Sequence, residues 1–503
     1  MKHFSKDQKI ILTGAGGHIG RFLLNALKNE GFRNVFPIYR KVDNSKLKNK
    51  KIEIDLTAQS FSTDVVNKFK NADVLINLAA LVPKTSDFDE NCSSTNSQII
   101  KNLISLCPVN VFFLNCSTAE VYGPQKKYPI DESATCNPVT NYGKSKLAAE
   151  KILSEYAKKT PLFCYTNLRL TNVFGPGESI RRSTYLFIES ALDGRSITLH
   201  GDGTQKRNYI YINDAVDLII SLIKQRVSGL PEVLNVANPR SFEIKDIVKA
   251  IKKAIPSLTV DFQENSYVAD SVFDVKRIKQ IVSLDNFIVL DDAIAKQVAC
   301  MSKNLYFDLD GTLLNVNKRI YRSHQIAAQE LGLSATSFRK YIYAKKNKLD
   351  ESFFFHLSKK DEIFMKYDHV RRDCIERMDC LSLDILRPRV LKSLLFLKSK
   401  GYSLNLITAR KNRENLDKQL DSLKLSKLFS SVILCEKKSS LDIQGLKPGV
   451  FFTDTDEDVR FGLNYGMYTV GIAGGMRTKS ILKSASPDIL CDSIFDALQV
   501  LGL

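Results

Sequence analysis

Short apolar runs alternate along the chain with longer stretches in which apolar residues recur at helical spacing. Runs of this length are typical of buried strands, and the stretches between them are typical of helices that cover a parallel sheet. The alternation predicts a doubly wound α/β fold, a Rossmann-type sheet, for the N-terminal half. The predicted strands of this half are residues 9–13, 35–39, 52–56, 73–80 and 111–118.

A second α/β unit is predicted to begin near residue 300. A helical pattern at 290–296 is followed by a new buried strand at 304–307. We therefore expect domains at 1–300 and 301–503, with a linker near 299–303 that is too short to separate them far.

Composition and charge narrow the class of protein. The chain has 503 residues and a net charge of +18, with no apolar run long enough to span a bilayer. The N-terminus lacks the apolar region of a signal peptide, so a cytoplasmic location is expected. The basic clusters at 46–51 and 345–348 are not interleaved with aromatic residues, which argues against nucleic-acid binding. A basic surface suits small phosphorylated substrates, and no membrane partner is expected.

A glycine-rich turn lies between the first predicted strand and a helical pattern. Glycines let the backbone approach a pyrophosphate, and the helix N-terminus offers free N–H groups. A tight turn without a ligand is the alternative, since the glycine spacing differs slightly from the common dinucleotide pattern. The predicted cofactor-binding residues of the turn are Gly14, Gly17, His18, Ile19 and Gly20.

Residues after the next strands complete the predicted cofactor site. Arg40 and Lys41 stand where an acidic residue commonly binds the NAD ribose, so the pattern favours NADP over NAD without deciding between them. Asp55 is predicted to reach the adenine, and the small residues after the fourth strand would let the cofactor lie close. The further predicted cofactor residues are Arg40, Asp55, Leu56, Leu78, Ala79 and Ala80.

Tyr142 and Lys146 form the first candidate for catalysis. Residues four apart lie on one face of a helix, and an ammonium near a phenol lowers its pKa. Tyr142 could then exchange a proton with a substrate hydroxyl while a hydride moves. Thr118, at the C-terminal end of the fifth strand, is predicted to converge with this pair. An amphipathic helix with an exposed lysine is the alternative.

Residues 8–298 resemble the extended short-chain dehydrogenases/reductases, in the family of NAD-dependent nucleotide-sugar epimerases and dehydratases. The resemblance implies that Tyr142 is the acid/base, that Lys146 activates it and anchors the ribose, and that Thr118 orients the substrate. It also implies that Asn172 and Arg207 bind a nucleotide sugar, and that a homodimer can form through the helix of Tyr142. The matching segments are residues 13–20, 78–80, 117–123, 142–146, 169–177 and 201–210.

One departure from the family pattern narrows the chemistry. The 4,6-dehydratases carry an Asp-Glu pair after the catalytic threonine, whereas this chain has Ala119 and Glu120. The acid needed for elimination is therefore missing, which disfavours a dehydratase. Epimerisation and carbonyl reduction remain open.

The second candidate site follows the strand at 304–307. Asp308 and Asp310 are two carboxylates in one turn, and a magnesium ion would neutralise them. One of them could attack a phosphoryl group. A polar turn is the alternative for these residues alone.

With the segments at 404–410 and 449–458, residues 304–503 resemble the haloacid-dehalogenase-like hydrolases. The resemblance implies Asp308 as nucleophile, Asp310 as general acid/base and Thr408 as a phosphoryl ligand. It implies magnesium held by Asp308, Asp454 and the main-chain carbonyl of Asp310, with Asp458 in support. The family also needs a lysine, for which Lys438 is preferred over Lys437 and Lys447, and the helical pattern at 316–386 matches a small cap.

Together these patterns predict a bifunctional enzyme. The N-terminal domain would epimerise or reduce a nucleotide-linked sugar with NAD or NADP, and the C-terminal domain would hydrolyse a phosphate monoester with magnesium. Two alternatives stay open: a dinucleotide-sensing first domain that regulates the phosphatase, and a phosphotransferase or mutase as the second domain.

Overall fold

The computed structural model of the chain describes residues 5–40, 52–83, 91–178, 182–225, 230–264, 269–435, 438 and 445–503. The chain divides into two compact units, Met1–Ile294 and Ala295–Leu501. Each unit is built on one parallel sheet, and the two are described separately below.

The first unit contains thirteen described strands and nine described α-helices. The strands are β1 Ile10–Thr13, β2 Val35–Tyr39, β3 Ile52–Glu53, β4 Val74–Asn77, β5 Phe112–Thr118, β6 Cys164–Leu170, β7 Asn172–Phe174, β8 Ile197–His200, β9 Lys206–Arg207, β10 Tyr209–Tyr211, β11 Val233–Val236, β12 Phe242–Glu243 and β13 Val260–Gln263. The helices are α1 His18–Asn29, α2 Thr63–Phe69, α3 Asn91–Leu106, α4 Asn141–Lys159, α5 Ser183–Leu192, α6 Ile212–Lys224, α7 Ile244–Ala254, α8 Lys276–Lys279 and α9 Leu290–Met301.

Seven of these strands form one sheet in the order β11-β6-β5-β4-β1-β2-β3, and every pair is parallel. All residues of β1, β4 and β5 are buried, as expected for strands that helices cover on both faces. The predicted doubly wound fold is confirmed. Ligands of such sheets bind beyond the carboxyl ends of the strands, where the glycine turn, Thr118 and residues 78–80 lie.

A row of buried polar side chains crosses this sheet. The Thr13 hydroxyl donates to Asn77 Oδ1 (2.7 Å), Asn77 Nδ2 donates to Asn115 Oδ1 (3.0 Å), and Asn115 Nδ2 donates to Asn167 Oδ1 (2.8 Å). The row joins β1, β4, β5 and β6 and satisfies amides that would otherwise be costly to bury.

A buried ion pair lies next to the end of β5. Arg169 on β6 donates to both carboxylate oxygens of Glu150 on α4, at 3.2 and 2.7 Å, and the Ser117 hydroxyl donates to the same carboxylate at 2.5 Å. Both charged side chains are only 6% exposed. The pair therefore fixes α4, which carries Tyr142, against the sheet.

Replacing Arg169 with methionine is expected to destabilise the protein by about 3–5 kcal/mol, because it leaves the Glu150 carboxylate buried without its partner. Urea unfolding followed by circular dichroism measures this loss. The double variant Arg169→Met with Glu150→Gln should recover much of it, since no unpaired charge remains. A loss below about 1 kcal/mol in the single variant would contradict this account.

The second unit has a six-stranded parallel sheet in the order β18-β17-β14-β19-β20-β21. Its strands, with one antiparallel pair β15–β16, are β14 Asn304–Phe307, β15 Leu314–Asn315, β16 Ile385–Leu386, β17 Ser403–Thr408, β18 Ser431–Leu434, β19 Val450–Thr453, β20 Tyr468–Ile472 and β21 Ile489–Cys491. Its helices are α10 Asn317–Glu330, α11 Phe338–Lys346, α12 Glu362–Cys374, α13 Met378–Leu381, α14 Val390–Ser399, α15 Arg413–Ser422, α16 Asp456–Asn464, α17 Lys479–Ser484 and α18 Ile494–Leu501.

The predicted helical cap corresponds to α10–α13, which lie between β15 and β16. Its core is aromatic and includes Phe364 and Tyr367 packed on Ala327. The second sheet and the cap confirm the predicted fold class. The predicted linker at 299–303 is wrong in part, because α9 continues through Met301.

Among the described residues, no helix has both the length and the apolar character that crossing a bilayer requires.

Candidate active sites

The glycine turn joins β1 to α1 as predicted. Gly14 has φ +66°, and a Cβ there would lie 2.7 Å from the carbonyl carbon of Leu78, so this position favours glycine. Gly17 is the N-cap of α1, and no side chain caps the helix. The first turn, which includes His18, Ile19 and Gly20, also lacks an acidic residue. The main-chain N–H groups of this first turn are therefore not capped by a side chain. Such groups suit the pyrophosphate of a dinucleotide.

His18 is half-buried, and its Nε2 lies 3.0 Å from the carbonyl oxygen of Pro176. Burial is the largest cause that lowers the pKa of His18 to about 3, and the charge of Arg21 adds to it. His18 is therefore neutral in the folded protein over the whole physiological range.

The protein is expected to lose stability as the pH falls below about 6.5, because His18 takes up a proton in the unfolded chain but not in the folded one. The loss is about 1.4 kcal/mol per pH unit from this group until the pH nears its folded pKa. Urea midpoints of wild type and His18→Gln between pH 7 and pH 4 measure it. The wild type should lose stability more steeply than the variant, and parallel profiles would contradict the prediction.

The predicted adenine side of the cofactor site is more exposed than the glycine turn. The strand predicted to reach residue 56 ends at Glu53, because Asp55 starts a turn in which Oδ1 accepts from the amide (2.9 Å) and hydroxyl (2.6 Å) of Thr57. These hydrogen bonds lower the pKa of Asp55, and Arg40 also contributes to the lowering. Lys41 lies outside the described residues.

The loop after β4 contacts the glycine turn. The Ala79 amide donates to the Thr13 hydroxyl at 3.3 Å and to Asn77 Oδ1 at 3.2 Å, which holds residues 78–80 beside Gly14. Leu56 is buried, and its carbonyl accepts from Asn102 at 2.8 Å.

Tyr142 and Lys146 lie near the start of α4, and the helix is capped by Thr140, whose hydroxyl accepts from the Gly143 amide at 2.9 Å. Lys146 Nζ lies 5.8 Å from the centre of the Tyr142 ring and donates to the Cys116 carbonyl at 2.7 Å. Thr118 is buried at the end of β5. The structure thus places Tyr142 next to Lys146, whose ammonium contacts β5 two residues before Thr118.

The predicted lowering of the Tyr142 pKa is wrong for this arrangement. Burial raises the pKa of the phenol, and the charge of Glu120 adds to the rise, while Arg182 opposes it. Lys146 has its own pKa lowered by burial and directs its ammonium to a main-chain carbonyl. Local spacing indicated the pair correctly, but burial, which depends on the whole fold, decides the pKa.

Asn172 and Arg207, the predicted substrate-binding residues, lie at the start of β7 and on β9. Arg207 Nη1 donates to the carbonyls of Lys206 (2.8 Å) and Ala269 (2.9 Å), so part of its guanidinium is used by the protein itself. No role was predicted for Asn208, although it stands in the same matching segment as Arg207. Asn208 is buried and accepts from the Thr171 hydroxyl at 2.9 Å.

The second site forms where β14 and β19 end. The Thr312 hydroxyl lies 3.1 Å from Asp308 Oδ2 and 2.9 Å from Asp454 Oδ1, and all three residues are buried. Thr408, the predicted phosphoryl ligand, is buried at the end of the neighbouring strand β17.

Lys438 completes this site. Its ammonium pairs with Asp308 and with Asp458 Oδ2 (2.6 Å). Although burial alone would lower the pKa of Lys438, the two carboxylates raise it above its usual value, so the ammonium stays charged. Lys447 is exposed, and Lys437 lies outside the described residues. The geometry thus favours the predicted lysine over Lys447.

The surroundings of Asp454 fit a cation. Asp308 and Asp458 share one ammonium, Asp454 lies across the Thr312 hydroxyl from Asp308, and burial raises the pKa of Asp454 to about 6. A Cβ at Gly311 or Gly475 would overlap the Asp454 carboxylate, so both positions keep that space clear. In the described part of the chain no three His, Cys, Asp or Glu side chains form a metal-binding group. The predicted magnesium set needs only two side chains and one main-chain carbonyl.

The Asp310 side chain has an arrangement that the sequence did not indicate. Arg410 donates to both of its carboxylate oxygens at 2.8 Å, and Arg319 on α10 lies 2.7 Å from Oδ2. Although burial alone would raise the pKa of Asp310, the two guanidinium groups hold it well below its usual range. A carboxyl group with so low a pKa stays ionised and its carboxylate is a weak base, so its predicted role as general acid/base requires release from at least one arginine.

Both arginines also contact a carboxylate that sequence reasoning missed. Asp384, fully buried before β16, lies 3.3 Å from Arg319 and 3.5 Å from Arg410. Arg410 is the last residue of the matching segment at 404–410. A charged residue directly after a buried strand is a sequence signal that could have marked it as part of the site. Arg319 and Asp384 had no comparable signal.

These two sheets define an enzyme built from two α/β domains, of which the first is of the dinucleotide-binding class. Residues 10–237 match the model of the NAD dependent epimerase/dehydratase family, and residues 305–449 match that of haloacid dehalogenase-like hydrolases. The chain therefore carries an NAD-dependent epimerase/dehydratase domain followed by a haloacid dehalogenase-like hydrolase domain, which confirms both resemblances.

Several known proteins are similar to a little over half of the chain. An uncharacterized UDP-glucose epimerase of Bacillus subtilis, YtcB, is 26% identical over 58% of this chain and 98% of its own length. A UDP-glucose 4-epimerase of Lactobacillus helveticus is 28% identical over 49% of this chain and 81% of its own. The UDP-glucuronic acid 4-epimerase of Bacillus cereus, solved with UDP-glucuronic acid and NAD, shares the fold with a TM-score of 0.51 and 22% identity, over 58% and 98% of the two chains.

Proposed function

We propose that the chain is a bifunctional enzyme with one activity in each domain, 1–300 and 301–503. The first domain uses NAD or NADP to epimerise or reduce a nucleotide-linked sugar, and the second hydrolyses a phosphate monoester with magnesium. The observation that supports the proposal is the position of Lys146, 5.8 Å from the Tyr142 ring centre and bonded to the Cys116 carbonyl on β5, together with a separate site around Asp308.

In the first domain, Tyr142 would exchange a proton with a sugar hydroxyl, and Thr118 would hold that hydroxyl in place. NAD or NADP, when bound on the glycine turn, supplies the hydride acceptor and donor. Lys146 would hold the cofactor ribose. Asn172 and Arg207 would bind the diphosphate of the substrate.

Epimerisation is the favoured reaction of this domain. Ala119 stands where a dehydratase needs its acid, and two relatives are named UDP-glucose epimerases. The Bacillus cereus epimerase of the same fold was solved with NAD, which favours NAD here, whereas Arg40 favours NADP. Because a preference for NADP would suit a reductase, reduction remains the second candidate reaction.

In the second domain, a carboxylate oxygen of Asp308 would attack phosphorus and displace the alcohol, forming an aspartyl phosphate that water then hydrolyses to inorganic phosphate. Magnesium, held by Asp308, Asp454 and the Asp310 carbonyl, supplies positive charge to the phosphoryl oxygens. Asp310 would give a proton to the leaving oxygen and take one from the water. Lys438 would balance the charge of the pocket, and Thr408 would bind a phosphoryl oxygen.

Mass spectrometry of the ligands that the purified full chain retains tests the first assignment, and phosphate release from sugar phosphates and nucleotides tests the second. Retained NAD or NADP and a nucleotide sugar are expected, with release of free phosphate. Binding of the dinucleotide without any sugar turnover would favour a sensor domain. Transfer of phosphate to a second sugar without release would favour a mutase. The cytoplasmic location, the homodimer and the lack of nucleic-acid or membrane partners stay predictions.

A further inference from the structure

Asp310 occupies a place that two arginines shape for a carboxylate. Arg410 donates through Nε and Nη2 to its two oxygens, each at 2.8 Å, and Arg319 Nη2 lies 2.7 Å from Oδ2. The side chains of Arg319 and Arg410 are only 3% and 4% exposed, whereas the Asp310 side chain is 29% exposed. The carboxylate is therefore the outward-facing member of this cluster, and it covers the two guanidinium groups.

Residues behind the two arginines hold them in place independently of Asp310. The buried Asp384 carboxylate lies 3.3 Å from Arg319 Nε and 3.5 Å from Arg410 Nη2. The Gln419 amide joins the same group, because its Oε1 accepts from Arg410 Nη2 at 3.3 Å and its Nε2 donates to Asp384 Oδ2 at 2.9 Å. These contacts would keep both guanidinium groups in position if the Asp310 side chain rotated away.

The proposed hydrolysis requires this rotation, since Asp310 must reach the leaving oxygen. Asp384 is then the one carboxylate within 4 Å of either arginine, as far as the described residues show. Two buried positive charges would share one negative charge, and the N–H groups that face Asp310 would lose their acceptor. An uncompensated buried charge is unfavourable, so the rotation favours an anion in the place that Asp310 leaves.

The vacated place adjoins the phosphoryl site. Asp310 follows the predicted nucleophile Asp308 by two residues, and Arg410 follows the predicted phosphoryl ligand Thr408 by two. These residues stand at the carboxyl ends of β14 and β17, which are parallel neighbours in the second sheet. An anionic group on the alcohol part of a bound phosphate monoester can therefore lie against the two arginines.

We propose that Arg319 and Arg410 form a carboxylate-binding subsite that Asp310 fills at rest and the substrate fills during turnover. The second domain would then select phosphate monoesters of hydroxy acids. This inference rests on the proposed function of that domain and names its substrate class. A guanidinium fork matches the two oxygens of a carboxylate, so the substrate replaces Asp310 group for group. A neutral ester makes Asp310 leave without any replacement, and its hydrolysis is slower for that reason.

The test measures kcat/KM of the full chain, with magnesium, for 3-phosphoglycerate and glycerol 3-phosphate, which differ by a carboxylate in place of a hydroxymethyl group. Wild type should prefer the acid at least about tenfold, because the neutral ester leaves the donors of the subsite unpaired. Arg319→Gln should lower kcat/KM for the acid at least about tenfold, since one partner of a buried charge pair is lost. The same variant should raise turnover of the neutral ester about twofold or more, because Asp310 is then held by one arginine fewer. A loss of folding cannot produce these opposite changes.

Arg322→Gln is the matched control, because it removes an exposed arginine from the same helix, α10, and should keep the wild-type ratio. The longer pair of 6-phosphogluconate and glucitol 6-phosphate repeats the comparison. If circular dichroism shows Arg319→Gln to be unfolded, Arg319→Lys takes its place. Lysine keeps the charge but not the fork, so the preference for the acid should still fall about threefold or more.

Equal wild-type kcat/KM values within both pairs, or an unchanged ratio in the folded variant, would overturn the inference and leave the proposed function intact. Hydrolysis of p-nitrophenyl phosphate without hydrolysis of either acid would do the same. If none of these esters releases phosphate, the proposed hydrolysis falls and the inference falls with it.

Discussion

Replacing Asp308 with asparagine is expected to lower phosphate release by roughly a thousandfold or more, as when a catalytic nucleophile is removed. Asparagine keeps the size of the side chain but cannot form the aspartyl phosphate. It also removes the negative partner of Lys438, which would then pair with Asp458 alone. The measurement is the rate of inorganic phosphate release from the best substrate of a sugar phosphate and nucleotide panel.

The sugar interconversion catalysed by the first domain provides the control for this variant, because Asp308 is in the second unit. That activity should stay within about twofold of wild type, as expected for a substitution that shares no partners with the first site. A chelator of magnesium should abolish phosphate release and leave interconversion unchanged. Substantial phosphate release by Asp308→Asn, with magnesium present, would rule out Asp308 as the nucleophile.

Replacing Tyr142 with phenylalanine is expected to lower the rate of sugar interconversion by about 10²–10⁴-fold, the usual contribution of a positioned acid/base. The half-buried ring stays next to Lys146, so the fold and cofactor binding should change little. Loss of the phenolic oxygen removes the group that would exchange a proton with the sugar. The rate is measured by chromatography of nucleotide sugars during incubation with the full chain.

Tyr156→Phe is the matched control on the same helix, since Tyr156 packs its ring against Phe163 at 4.9 Å between centroids, away from the α4 N-terminus. Its interconversion rate should equal that of wild type. Phosphate release should be unchanged in both variants. An unaffected rate in Tyr142→Phe would refute the acid/base assignment, and a dinucleotide sensor would then be the better account of the first domain.

Local sequence patterns predicted the parts of the fold that local chemistry dictates. The strand at 35–39 has the predicted ends, and the glycine turn lies between β1 and α1, because apolar runs and glycines act over a few residues. Tyr142 and Lys146 share a helix face for the same reason. The families followed from several such segments in order along the chain, and the family models confirm them.

What the sequence did not indicate depends on residues that are far apart in the chain. Asp310 is held by Arg319 in the cap and by Arg410 after β17. The number of residues between Asp310 and either arginine does not indicate that they are partners. The direction of the Tyr142 pKa depends on burial by the assembled sheet. Glu178 stood beside a matching segment, but only the folded chain shows that its carboxylate is enclosed.

The row from Thr13 to Asn167 has a consequence for how the first sheet assembles. Its members are direct neighbours across β1, β4, β5 and β6, so each amide meets its partner in only one alignment of the strands. A strand displaced by a single residue would set an aliphatic side chain against an amide and leave a buried polar group unpaired, at a cost of about 1–3 kcal/mol for each. Aliphatic neighbours such as Leu12, Ile76 and Leu114 impose no such condition, because they pack in many alignments. The asparagines thus select one register among several that hydrophobic burial alone would accept.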